Sequence, residues 1–209
     1  SLIFRLQKEK DVVGIYLSGH PLDDYKYEWS NFATPLEKME NAAGRRINIA
    51  GFVSKAEHRI SQKGTGWGRF GLQDYTSSLE ITLFSDNYAK FKSFFEEGSC
   101  LYLTGEYKQR FNSDEYEFRV QDVRLLEGVG AEKTQSITVK IPIERLDREL
   151  IGKIDALCSD HRGKHTLRME LIDHQNKERL FFTAVAKKVA VGNELIAALE
   201  ALGLESGVN

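Results

Sequence analysis

Apolar residues recur along this chain with two different periods. Over residues 2–17, Leu2, Leu6, Val13 and Leu17 fall at roughly helical spacing, with Gln7, Lys8, Glu9 and Lys10 on the wet side. Gly19 and Pro21 stop that helix. Residues 22–44 place Tyr25, Tyr27, Trp29 and Phe32 among charges, are broken at Pro35, and read as a second helical stretch and packing connector. Ala42-Ala43-Gly44 marks its end. From Arg46 the period becomes two. Ile47, Ile49, Gly51 and Val53 alternate with Asn48, Ala50, Phe52 and Ser54, which is the pattern of a half-buried strand. The alternation blurs over residues 54–57 and predicts a bulge in a long, bent strand. Residues 61–66 read as a loop. Gly68, Phe70 and Leu72 then mark a second strand closed by Asp74, and Leu79, Ile81 and Leu83 a third. Ser85 or Asp86 can cap a short helix whose inner face is Tyr88, Phe91 and Phe95, with Gly98 at its end. Leu101, Leu103 and Gly105 give a fourth strand, and Tyr116, Phe118 and Val120 a fifth.

Three strands, a helix and two strands within about 80 residues is the order of the OB-fold, a five-stranded Greek-key barrel. Residues 127–136 form a linker, after which the pattern changes. Ile137, Val139 and Ile141 alternate as a strand. Leu146, Leu150, Ile154 and Leu157 make a helix stripe. Arg162-Gly163-Lys164 is a turn, and Leu167, Met169 and Leu171 alternate, as do Leu180, Phe182 and Ala184 across a hairpin turn at residues 173–177. A last helix carries Leu195, Leu199 and Leu202 inward and ends at Gly203. The fold class is therefore α+β with an all-β core. A helical connector (residues 1–44) precedes an OB-fold domain (45–127), and a small α+β domain (136–209) suited to partner docking follows it.

Charge and cysteine content narrow the function. Among 209 residues, 29 Lys and Arg stand against 31 Asp and Glu, so a nucleic-acid ligand must be met by a local patch and not by a whole-chain field. Cys100 and Cys158 lie far apart in apolar contexts, which argues for a reducing compartment and against a disulfide scaffold or zinc knuckle. No apolar run approaches the roughly 18–20 residues of a membrane span. No secretory signal pattern opens the chain. Its start at Ser1 in place of Met predicts a fragment, and a cytoplasmic setting is expected.

Catalytic readings fare poorly. Ser18, His20 and Asp23 are triad residue types confined to one turn, and a Gly-His-Pro turn between helices is the simpler reading. His161 and His165 straddle Gly163 without further ligands nearby and read as surface turn histidines, not a zinc site. Gly64, Gly66 and Gly68 lie between two strands and not before a helix, so they predict a mobile hairpin loop that closes over an extended ligand, not a phosphate cradle. No constellation of carboxylates suggests two-metal phosphoryl transfer. No catalytic residue, metal ligand or cofactor is expected.

What remains is the open face of the barrel. OB-folds bind nucleic acid across strands two and three, between the loops joining strands one–two and four–five. The first loop region carries Arg59, Lys63 and Trp67, and Arg69 points off the second strand away from the Phe70/Leu72 core face. The second carries Lys108, Arg110 and Phe111, with Arg119 outward on strand five. Cations neutralise phosphates and release counterions; ring faces stack on bases without regard to sequence. Against this, Trp67 equally reads as a hydrophobic cap on the barrel end and Phe111 as packing across its hairpin. The cations equally read as strand-edge charges. Asp114, Glu115 and Glu117 oppose phosphate, so binding is expected to be weak and helped by tethering.

Three runs resemble a known family: Glu9-Lys10-Asp11-Val12-Val13-Gly14-Ile15-Tyr16-Leu17-Ser18-Gly19-His20-Pro21-Leu22; Arg59-Ile60-Ser61-Gln62-Lys63-Gly64 followed by Trp67, Phe70, Leu72, Asp74, Glu80, Phe84 and Tyr88; and the strand and helix from Ile137 through Leu157. In this order they resemble the C-terminal region of the bacterial DNA polymerase III alpha subunit, the replicative C-family polymerase. The family usually has Thr-Gly where this chain has Ser77-Ser78. The resemblance implies a parent DNA-directed DNA polymerase whose palm carboxylates lie upstream of Ser1, leaving this piece non-catalytic. It implies an OB domain for single-stranded template DNA and a last unit, residues 137–209, that docks the tau subunit of the clamp loader. The family's sliding-clamp motif precedes the Leu-Ser-Gly-His-Pro-Leu run, and Ser1-Leu2-Ile3-Phe4 matches it only loosely. Two other classes stay open from the residues: a protein-interaction module with an inert barrel face, and an RNA- or tRNA-binding OB domain. In the C-terminal unit, Leu180-Phe181-Phe182 and the Leu195/Ile196/Leu199 stripe either complete a core or face a partner.

Overall fold

Five antiparallel strands organise the first half of the computed structural model, which describes residue 12, residues 19–110 and residues 114–209. The helix expected over residues 2–17, its Ser1–Phe4 start and Phe111 lie outside the described residues, Val12 apart. The chain divides into two compact units, Ser1–Val129 and Gly130–Asn209.

In the first unit β1 (Arg46–Ile60), β2 (Gly66–Gln73), β3 (Ser78–Phe84), β4 (Cys100–Gln109) and β5 (Tyr116–Leu125) lie in the order β3-β2-β1-β4-β5. β1 serves two ladders, pairing β4 from Arg46 to Phe52 and β2 from Phe52 to Ile60. Its register shifts between Val53 and Lys55, where the blurred alternation predicted a bulge. The inward residues of every strand meet in one core that includes Ile49, Val53, Phe70, Leu72, Ile81, Leu83, Leu101, Leu103, Phe118 and Val120. The helix Ser85–Phe91 adds Phe91, and Phe95 beyond it stacks on Phe70 at 4.4 Å between centroids. Each such burial contributes about 1.5–3 kcal/mol.

One expectation for β1 is overturned. It is not half-buried: Ile49 through Val53 are buried on both faces. The second face carries Ala50 and Phe52, joined by Leu22, Cys100, Tyr102, Leu126 and Val129 in a separate apolar cluster. The connector supplies its cover through Tyr25, Trp29 and Phe32, the last two from the helix Lys26–Phe32. Polar atoms fix the cover in place. The Tyr102 hydroxyl donates to the Phe32 carbonyl at 3.0 Å, and the Trp29 indole N–H donates to buried Asp74 at 3.2 Å. Asp74 also accepts from the backbone of Leu36, Thr76 and Ser77, so one carboxylate closes the β2–β3 turn and anchors the connector.

The loop expectation changes as well. β1 and β2 stay paired out to Ile60 and Gly66, and Gly66 and Gly68 are strand residues packed against the rings of Tyr88 and Phe70. Only Gly64 turns, with φ +77°. Ser61 and Thr65 close the tip by backbone and side-chain hydrogen bonds, which makes it a short tied hairpin. At the far edges of the sheet, β3 and β5 share no ladder among the described residues. A cavity of about 420 Å³ lies between them, lined by Thr82, Phe84, Arg110, Tyr116 and Arg119 among others.

The second unit is a four-stranded sheet in the order β8-β7-β6-β9, with β6 (Ser136–Pro142), β7 (Arg162–Asp173), β8 (Glu178–Val189) and β9 (Glu205–Val208). β6 and β7 are parallel, and the helix Arg148–Asp160 makes the crossover such a pair requires. Asp147 caps that helix by accepting from the Leu150 amide at 2.7 Å. Its buried stripe is Leu150, Ile154 and Cys158; Leu146 lies before the helix and is partly exposed. In the helix Asn193–Ala201, Leu195 and Leu199 are core. β9 was not foreseen, because Glu-Ser-Gly-Val carries no apolar alternation. Residues 127–136 are more than a spacer, since Val129–Lys133 forms a short helix. His165 is not a surface turn histidine: it is buried within β7, its Nδ1 accepting from the Val191 amide at 3.1 Å and its Nε2 donating to the Ala131 carbonyl at 3.1 Å. No helix among the described residues is long and apolar enough to cross a membrane.

Candidate nucleic-acid interface

Side chains two apart on a strand share a face. On β1 this puts Lys55, Glu57 and Arg59 together on the outside; on β2 it puts Trp67 and Arg69 there, and on β3 Glu80, Thr82 and Phe84. The ladder registers turn these into cross-strand rows. Arg59, Trp67 and Phe84 are aligned across three strands, and Glu57, Arg69 and Thr82 form the next row. Trp67 and Phe84 stack with centroids 5.9 Å apart and planes at 22°, and the Arg59 guanidinium lies 5.6 Å from the Trp67 ring centre. Trp67 is therefore an outer-face residue, not a cap on the barrel core. Phe84 is 60% exposed, which is costly for a phenylalanine unless something covers it.

A second group stands on β4 and β5. Arg110 and Arg119 both bond Glu117, at 3.0 and 2.9 Å, and Arg110 also reaches Glu115 at 3.1 Å. Lys108 pairs with Glu106 at 2.8 Å and sits opposite Glu117 in the ladder. Phe84, Glu80, Arg110 and Arg119 line the same cavity between β3 and β5, so this group and the ring row meet there. Lys63 is the exception: it is exposed at the hairpin tip and pairs with no carboxylate among the described residues.

Carboxylates temper the positive charge. Glu57 holds Lys55 and, at 2.8 Å, Arg59, and those two cations keep its carboxyl below the ordinary value. Arg69 pairs with Glu80 at 3.4 Å. Partial burial pushes the Glu117 carboxyl up, but hydrogen bonds from Arg110 and Arg119 outweigh it and leave the carboxyl lowered. Of the expected cations, Arg59, Arg69, Lys108, Arg110 and Arg119 are all engaged by a carboxylate of the same chain. Phe84 and the bridging roles of Glu57 and Glu117 were missed as site features. The Lys-x-Glu-x-Arg spacing at residues 55–59 carried the signal for one of them.

Of the turn residues weighed for catalysis, Ser18 lies outside the described residues, and His20 and Asp23 are held in structural contacts. Asp23 accepts from the His20 amide at 2.6 Å and from the Tyr75 hydroxyl at 2.9 Å, and the His20 ring packs on Tyr75 and Phe52. Among the described residues no three His, Cys, Asp or Glu side chains are grouped to hold a metal ion.

Comparison with known proteins follows the same division. Residues 47–126 match a family model described as an OB-fold nucleic acid binding domain. Residues 137–205 match the DNA polymerase III alpha subunit, C-terminal domain. The DNA polymerase III subunit alpha of Bacillus subtilis is 26% identical over 78% of this chain and 14% of its own length. That of Pseudomonas aeruginosa is 27% identical over 93% of this chain and 16% of its own. This chain thus spans about one-seventh of these relatives. The second OB-fold domain of replication protein A from Methanococcus maripaludis aligns with 41% of this chain and 87% of its own, at 20% identity and a TM-score of 0.30. With an OB-fold match over the barrel, an alpha-subunit match over the second unit and alpha-subunit relatives across most of the length, the chain is similar over most of its length to the C-terminal region of the DNA polymerase III alpha subunit.

Proposed function

We propose that this chain is the non-catalytic template-holding tail of a replicative polymerase, and that the outer face of β1–β2–β3 binds single-stranded DNA. The observation that carries this reading is the row of Arg59, Trp67 and Phe84, open on the face that OB-folds use for polynucleotides. Each stacked base contributes roughly 1–3 kcal/mol without sequence preference. Because the cations are self-paired, the electrostatic part is small. The neutralisation of a few phosphates that the sequence invites gives way to a log–log salt slope of roughly −1, about one phosphate on a single strand. Fluorescence anisotropy of labelled oligo-dT with the full chain tests this. Weak binding at low salt is expected, with quenching of tryptophan emission that is lost in Trp67→Phe and kept in Trp29→Phe. No anisotropy change at high protein concentration overturns it, and preference for structured tRNA over oligo-dT turns it toward an RNA-binding domain.

A second site is favoured in the C-terminal unit. Strand β8 is a sheet edge, and Leu180, Phe181 and Phe182 on it are 51%, 69% and 48% exposed. Such an apolar edge is a template for another chain unless covered. In this reading it docks the tau subunit of the clamp loader. Capture of tau by the full chain, lost in Phe181→Lys with oligo-dT binding intact, supports it; equal capture by both proteins overturns it.

A further inference from the structure

Glu57 and Glu117 each bridge two cations on the exposed face, and each does so by strand geometry. Glu57 lies between Lys55 and Arg59 with a spacing of two on β1, so all three share a side. Glu117 and Arg119 have the same relation on β5, and the hairpin brings Arg110 to the other carboxylate oxygen. Neither carboxylate is needed to hold the barrel together, since the core lies on the opposite side of these strands. Glu57 also fixes the arginine that lies over Trp67, the ring a base must reach. A ligand offering phosphate alone therefore exchanges one anion for another at every arginine, with little net gain. A ligand offering unpaired bases gains the Trp67 and Phe84 faces in addition.

We infer that Glu57 and Glu117 determine ligand specificity: by saturating the arginines of this face they reject duplex DNA and other phosphate-only polyanions and make base stacking the condition for binding. This rests on the reading of the face as a single-strand site. Lys55, Arg59, Arg69 and Trp67 surround Glu57 on β1 and β2, and Lys108, Arg110 and Arg119 surround Glu117 on β4 and β5. Removing both carboxylates leaves four cations without those partners while leaving the rings in place.

The test compares the full chain with a Glu57→Gln/Glu117→Gln variant, using oligo-dT and a duplex of equal length as probes. A Glu37→Gln/Glu96→Gln variant makes the same change of net charge at exposed positions outside both cation groups. The unaltered chain is expected to prefer oligo-dT over duplex by roughly tenfold or more, with the shallow salt slope of about one phosphate. In the Glu57/Glu117 variant, duplex affinity rises roughly tenfold, the preference collapses toward unity, and the slope steepens to roughly −2 to −3. The control variant keeps preference and slope. If the unaltered chain binds oligo-dT but the Glu57/Glu117 variant keeps preference and slope, this inference alone falls. An equal loss of preference in the control also overturns it, since net charge is then the cause. If neither chain binds either probe, the single-strand reading falls with it.

Discussion

The two halves of β1 are one continuous strand with opposite fates on their outer side. From Ile49 to Val53 the outer side is sealed: Ala50 and Phe52 sit beneath Tyr25, Trp29 and Phe32, with Cys100 and Tyr102 from β4 beside them. From Lys55 to Arg59 it is open, and Lys55, Glu57 and Arg59 are held there by the Glu57 ion pairs and the Arg59 contact with Trp67. Apolar cover is released only by unfolding. Exposed ion pairs contribute about 0–1 kcal/mol and exchange readily with solvent or ligand. The difference teaches where a ligand can enter this barrel: the connector has taken one side permanently, and the other is closed only by charge.

The largest test of that contrast is Phe52→Ala, which empties a fully buried position on the sealed half. It is expected to cost about 3–5 kcal/mol in denaturant unfolding. The surviving folded protein should bind oligo-dT as before; a cost below about 1 kcal/mol would mean the cover is loose. The reciprocal change, Trp67→Ala with Phe84→Ala, should weaken oligo-dT binding by about 1–3 kcal/mol per base lost from the rings, read by anisotropy. Stability should move far less than in Phe52→Ala. Alkali gives a smaller, graded effect on the sealed half alone. Burial, with a lesser contribution from Asp24, pushes the Cys100 thiol up to about 11, and burial pushes the Tyr102 hydroxyl up to about 12. Both groups stay neutral in the fold while an unfolded thiol ionises near about 8.5. Stability is thus retained below that pH and lost as pH rises toward 11, by about 1 kcal/mol per unit. Thermal or urea melts across pH 8–11 measure it, and a flat profile would count against burial of these groups. The smallest effect is expected of Lys63→Glu at the hairpin tip. It should weaken oligo-dT binding about threefold to fivefold at low salt with stability unchanged.

The strands of the barrel are legible in the chain because each presents one apolar side at a spacing of two. What the spacing does not reveal is whether the other side is covered. Ala50 and Phe52 read as the wetter half of an alternation, yet residues some twenty positions earlier bury them. Phe84 was hidden for a related reason: it follows inward Leu83 and precedes a helix, so only the register with Trp67 shows it facing out. The cations of the candidate face were legible as residue types, but their partners were not all so. Glu57 follows from simple spacing, whereas the grip of Arg110 on Glu117 depends on how the β4–β5 hairpin closes. In the second unit, β9 pairs with β6 over four residues without an apolar pattern, and His165 is buried because β7 begins at Arg162, earlier than its alternation suggested.

The flanks of β3 and β5, which share no ladder among the described residues, have a mechanical meaning. A barrel zipped all the way round can widen only by breaking backbone ladder bonds, but here the two edges meet across a side-chain-lined gap. This seam is lined by Phe84, Tyr116, Arg110 and Arg119, and it is expected to open more readily than the ladders that tie β1 to β2 and β4. Deuterium uptake should begin at the seam-facing amides of β3 and β5 and reach the middle of β1 last.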